Sequence, residues 1–152
     1  MLRPRCAGAF TLIELVMVVV IVGLMSIFAI PNYTKSVTKS YEKVASNNLL
    51  IIFAAQKLYY NNSFPNSTYA PPSADVTALN SNLGLSIIDP NLSYNCTSTD
   101  AAAPYNDYSC YATRAATFQF RITEAEPPTV CCCTSVGACL SSGIAACASP
   151  AC

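Results

Sequence analysis

The chain has 152 residues, eight Lys and Arg against eight Asp and Glu, and no histidine. Its length is enough for one globular domain. Balanced charge without a basic run gives no electrostatic footprint for gripping nucleic acid, and a chain lacking His cannot assemble a Ser/His/Asp constellation. The five glycines make no phosphate-binding loop. The carboxylates Asp75, Asp89, Asp100, Asp107, Glu124 and Glu126 are scattered, so neither catalytic residues nor a cofactor are expected.

Met1 to Ala9 is short, carries Arg3, Arg5 and Cys6, and has no apolar core of its own. It is therefore not the usual secretory signal, whose cleavage site follows the apolar segment. From Phe10 to Ile30 the chain is almost wholly apolar. About 20 helical residues at 1.5 Å rise cross the ~30 Å hydrocarbon of a bilayer. The run holds one charge, Glu14, near its start. A carboxylate in hydrocarbon is costly, which makes Glu14 a candidate functional residue. Pro31 cannot donate the helical hydrogen bond to Ile27 and Gly23 is a second weak point, so both are candidate kink positions.

Helix-compatible sequence resumes at once. Between Lys35 and Tyr60, Val37, Tyr41, Val44, Ile51, Ala55 and Leu58 recur at helical spacing, flanked by Ala45, Ile52 and Tyr59. Lys35, Lys39, Glu42, Lys43, Ser46 and Asn47 fall largely off that stripe. One helix from about Phe10 to about Tyr60 is expected, ended by Asn61-Asn62-Ser63-Phe64-Pro65. The lysines at 35, 39 and 43 form a weak basic stripe suited to headgroup contact or packing between subunits.

The residues Phe10-Thr11-Leu12-Ile13-Glu14-Leu15, the apolar run behind them, and Ile30-Pro31-Asn32-Tyr33 resemble the amino-terminal signature of type IV pilins and pseudopilins. The resemblance covers roughly the first 33 residues strongly; beyond them only the general layout fits. It implies a leader, residues 1–9, removed on the cytoplasmic side by a prepilin peptidase between Ala9 and Phe10, with methylation of the new Phe10 amine. The family prefers Gly before the cut, and here Gly8 precedes Ala9, so cutting between Gly8 and Ala9 is the second option. The Ala9–Phe10 bond keeps Glu14 as the fifth mature residue. The resemblance further implies that Glu14 pairs with the amine of a neighbouring subunit, a charge pair that sets register as the subunit leaves the bilayer for the fibre.

Phe64 to Asp89, rich in Pro, Ser and Asn, reads as a connecting loop with a short helix around Ala74 to Asn82. Strand candidates follow at Asn91–Ser98, Tyr108–Thr113, Thr117–Thr123 and Thr129–Cys133. Asp100 to Asp107, Ala115-Ala116 and Glu124 to Pro128 separate them. A small antiparallel sheet laid on the second half of the helix is the expected core.

Beyond Cys6, eight cysteines remain: Cys96, Cys110, Cys131, Cys132, Cys133, Cys139, Cys147 and Cys152. An even number in an exported domain with a thin core reads as a disulfide framework. Cys96 and Cys110, on successive strand candidates, are the best single pair. A zinc or iron–sulfur site is the competing reading, disfavoured because there is no His and no Cys-x2-Cys, only the adjacent triplet.

The expected fold is thus α+β: a long amino-terminal helix, spanning a membrane with its first half and kinked near Pro31, packed by its second half on a small antiparallel sheet. The expected divisions are residues 1–9 leader, 10–31 transmembrane and polymerisation helix, 32–62 amphipathic half, and 63–152 globular β-domain with a Cys-rich tail. The expected function is a structural subunit of a type IV pilus or pilus-like fibre, made as a single-pass inner-membrane precursor. Its partners would be copies of itself and other pilins, the prepilin peptidase, the inner-membrane assembly platform and the membrane. The alternatives are a pseudopilin of a type II secretion or DNA-uptake system, and a membrane-anchored Cys-rich binding domain that does not polymerise.

Overall fold

The computed structural model describes residues 10–115, 117–133 and 143–147, the side chains of 28–31 excepted. The leader with Cys6, Gly8 and Ala9, and likewise Ala116, Cys139 and Cys152, lie outside the described residues. Helix α1 runs from Leu12 to Asn62, and its helical assignment continues through Pro31. Its residues belong to two compact units, Met1–Val37 and Thr38–Cys152.

In the first unit the stretch from Leu15 to Ile27 is almost wholly apolar on every side, and every side chain described from Phe10 to Ile27 is exposed. A helix of that kind in a stable state belongs in a core or in lipid rather than in water. A Cβ at Gly23 would meet nothing within 4 Å, so no close packing inside this chain requires that glycine.

In the second unit α1 supplies one wall of the core through Ala45, Leu49, Ile52 and Phe53, with Glu42 and Gln56 buried on the same line. Their spacing of three and four residues keeps them on one helix face. This corrects the stripe expected from sequence. Val44, Ile51 and Leu58 are 39, 49 and 61% exposed, and Glu42, read as lying off the stripe, is buried. The buried line is displaced by one residue, about 100° around the helix. Apolar side chains cover more than half the circumference here, so periodicity alone leaves the choice of face to the surface it meets. The buried polar Gln56 accepts a hydrogen bond from the Ala70 amide at 3.0 Å, tying the following loop to the helix.

A second helix, α2, spans Val76–Leu83 and buries Leu79 against the core. Asp75 is its N-cap, accepting from the Ala78 amide at 2.8 Å, and Gly84 closes it at φ 65°, in the left-handed region that favours glycine. Replacing Asp75 with alanine is expected to cost about 1 kcal/mol of stability, read as a lowered midpoint in urea with an unchanged slope.

The sheet is a four-stranded antiparallel meander in the order β1 (Ser93–Thr97), β2 (Ser109–Arg114), β3 (Phe118–Thr123), β4 (Cys131–Cys132). Alternation puts Tyr94 and Cys96, Cys110 and Ala112, and Phe118, Phe120 and Ile122 on the face that joins the helix in one core. Asn48 of α1 donates to the Tyr94 hydroxyl at 2.8 Å, and the Arg114 guanidinium lies 4.1 Å from the Tyr41 ring centroid. The architecture is the α+β one expected: a long amino-terminal helix packed on a small antiparallel sheet.

Tyr69, Tyr108, Phe53 and Tyr60 form a continuous aromatic cluster, with Tyr69 edge-on to Tyr108 at 4.7 Å. The Tyr108 hydroxyl is buried and makes no hydrogen bond among the described residues. Burial, reinforced by Tyr69, Glu124 and Glu126, pushes its ionisation well above the usual tyrosine range. Tyr94 shifts in the same direction, again chiefly through burial. Both groups therefore support folding fully below their unfolded pKa near 10, and that support is lost as pH rises through their folded values. Tyr108→Phe is expected to raise stability by about 1 kcal/mol by removing an unsatisfied buried hydroxyl. It should also flatten the fall of melting temperature between pH 9 and 11, as measured by circular dichroism.

Candidate assembly site

The amino end of α1 carries the carboxylate singled out by the sequence. Thr11 occupies the N-cap position and Glu14 the third helical residue. The Glu14 Oε2 accepts from the Thr11 amide at 2.9 Å and from the Thr11 hydroxyl at 2.8 Å, while the Glu14 amide donates to Thr11 Oγ1 at 3.3 Å. This is a capping box: two amides that the first turn would leave orphaned are satisfied reciprocally. The carboxylate also sits where the partial positive charge of the helix end favours an anion. Among the described residues Oε2 takes both bonds and Oε1 takes none. One carboxylate oxygen is thus without a bond among the described residues, on a side chain held in place by Thr11. Glu14 stands out in the sequence as a lone charge and Thr11 does not, although Thr-x-x-Glu ahead of an apolar run is the signature of this cap. Phe10, the residue expected to carry the mature amine, precedes the cap and is exposed.

No single helix among the described residues passes as a membrane span by length and composition, but Leu12–Ile27 and Asn32–Asn62 pass together as a bent pair.

The cysteines cluster at the opposite end of the sequence. Cys96 is bonded to Cys110, directly opposite it in the β1–β2 register, with Cα atoms 4.0 Å apart. The Cys96 amide and carbonyl both turn away from β2 to exchange hydrogen bonds of 2.9 Å with Ser73. The cysteine pair is therefore a non-hydrogen-bonded one, the class in which facing side chains lie closest. Cys131 is bonded to Cys147, and Cys132 and Cys133 are also disulfide-bonded. A disulfide of this loop size contributes ~2–4 kcal/mol in the chain-entropy account. Among the described residues no group of three or more metal-ligating side chains could hold an ion.

A long amino-terminal helix, apolar and exposed in its first part and joined in its second to a small disulfide-bonded meander, is a pilin-like α+β arrangement. A 68-residue stretch of the chain is 40% identical to the type IV major pilin protein PilA of Myxococcus xanthus (strain DK1622). That stretch is 45% of this chain and covers 30% of the relative, well under two thirds of its length. No family model matches the chain, and no solved structure matches it.

Proposed function

We propose that this chain is a structural subunit of a type IV pilus or pilus-like fibre and belongs to the pilin family. The similarity to a type IV major pilin supports the pilus reading in general. The observation that carries it further is the exposure of the whole apolar surface from Phe10 to Ile27, headed by a positioned carboxylate. Exposed apolar area on that scale is unstable in water and is relieved by lipid or by other copies of the same helix. The second apolar line on α1, Val44, Ile51 and Leu58, offers more surface of the same kind.

In this reading the chain is made as a single-pass inner-membrane precursor. The prepilin peptidase cuts between Ala9 and Phe10, and the Phe10 amine is methylated. Glu14 remains capped by Thr11 through one oxygen and takes the amine of an adjoining subunit with the other. Gly23 and Pro31 allow the helix to bend as it packs. Residues 10–31 form the polymerisation helix, and residues 63–152 the surface of the fibre. The assembly platform of the inner membrane feeds subunits into it.

The test is the chain recovered from sheared surface material of its own cells. Long filaments whose subunit begins with N-methylated Phe10 are expected. A chain that begins at Met1 and stays in the membrane fraction overturns the proposal. A processed chain found only in the envelope, without surface filaments, assigns it instead to a pseudopilin of a secretion or DNA-uptake system.

A further inference from the structure

The sulfur atoms of the β4 region are arranged for exchange. Cys131 and Cys133 are two residues apart on an extended segment, so their side chains share one face. The Cys133 amide extends the pairing with β3 by donating to the Gln119 carbonyl at 2.8 Å. Cys147 lies over that face. It is bonded to Cys131, and its Sγ is 3.9 Å from the Cys133 Sγ. Cys133 is itself part of another disulfide. The backbone of the tail is held there independently of its sulfur. Cys132 donates to the Ala145 carbonyl at 2.8 Å, and the Cys147 amide donates to the Cys132 carbonyl at 2.9 Å. When the Cys131–Cys147 bond opens, the freed Cys147 sulfur remains beside Cys133.

We propose that Cys131, Cys147 and Cys133 form a disulfide relay that passes an opening at the partly exposed Cys131–Cys147 bond on to the bond made by the buried Cys133. An external thiolate, from a small thiol or from a dithiol oxidoreductase, attacks Cys131 Sγ. The Cys131–Cys147 bond breaks, a mixed disulfide forms on Cys131, and Cys147 leaves as a thiolate. That thiolate attacks Cys133 Sγ and forms the Cys133–Cys147 bond. The sulfur previously joined to Cys133 departs with the electron pair and takes a proton from water. The second step leaves the number of disulfides unchanged and needs no oxidant. Exposure gives the relay its direction. Cys131 and Cys147 are half-buried, whereas Cys133 is 1% exposed and out of reach of an external thiol. The tail thereby stays covalently tied to β4 throughout a thiol attack on its outer bond.

The experiment uses the full chain with its native disulfides, purified in detergent and incubated with reduced glutathione. Thiols are trapped by alkylation and linkages are located by fragmentation mass spectrometry. Glutathione on Cys131, a new Cys133–Cys147 linkage and no alkylation of Cys147 are expected. Cys131→Ser provides a second reading without any added thiol. The sulfur left unpaired by this substitution is expected on the former partner of Cys133, not on Cys147. In chains that carry glutathione on Cys131, and in Cys131→Ser, an alkylated Cys147 or any partner for Cys147 other than Cys133 overturns the relay. If the variant does not fold, the glutathione experiment on the native chain decides alone.

Discussion

Cells carrying Glu14→Ala are expected to insert the chain into the membrane normally and to yield no fibres, or sparse and misregistered ones. Three physical consequences act in the same direction. The variant loses the carboxylate half of the cap, leaving the Thr11 amide without its acceptor. In the proposed membrane precursor it removes a charge from the lipid-embedded helix, so the monomer has less drive to leave. It also deletes one half of the charge pair proposed between neighbouring subunits. Loss of one partner from a desolvated pair is expected to lower subunit addition by roughly a hundredfold. Glu14→Gln separates these effects. Its amide oxygen still accepts from Thr11 and preserves the cap but carries no charge, so it is expected to fail in assembly nearly as badly. The measurement is electron microscopy and immunoblotting of sheared material, with membrane-fraction levels as the control for insertion. Normal fibres from Glu14→Gln would show that the carboxylate serves only the helix end.

The largest stability effect is expected at Phe120. Its side chain is fully buried in β3, beside Phe118 at a ring separation of 5.0 Å. In register it lies between Ala112 of β2 and Cys132 of β4, so three strands converge on it. Small neighbours such as Ala112 cannot fill the space a missing ring would leave, and the disulfides limit how far the strands can close in. Phe120→Ala is expected to cost ~3–5 kcal/mol. Against a typical total of ~5–15 kcal/mol, that is a melting temperature lowered by more than about 10 °C with disulfides intact. Phe64, 84% exposed just beyond α1, is the control, and its alanine variant should melt as the unaltered protein does. Equal effects at the two positions would contradict the assignment of the core to this face of the sheet.

Much of the fold is legible without coordinates because its signals are local. The expected strand at Thr117–Thr123 corresponds to β3 at Phe118–Thr123, where aromatic and β-branched residues alternate with polar ones. The helix expected around Ala74 to Asn82 is α2 at Val76–Leu83, bounded by Asp75 and Gly84, residues whose capping chemistry is written in their types. The last strand is the weakest case. Thr129–Cys133 reads as a run of five, yet the strand is only Cys131–Cys132, with one further bond to β3 from the Cys133 amide. A strand's extent depends on a neighbour that no local window contains. The Thr11 cap is the opposite case, since the Thr-x-x-Glu pattern that signals it lies within four residues.

By itself the sequence determined the order and type of the elements, the α+β class and the position of a lone carboxylate at the head of an apolar helix. Those follow from composition and period, which every residue carries with it. Two matters were left to the tertiary structure: which line of α1 faces the sheet, and which sulfurs beyond the first hairpin meet. The helix is apolar on more than one side and the cysteines are more numerous than their local geometry can sort. Selection among them falls to contacts between segments far apart in the chain. Leu49 and Ile52 are buried because they join Tyr94, Phe118 and Phe120 in one core, and Val44 and Ile51 are left exposed by the same packing.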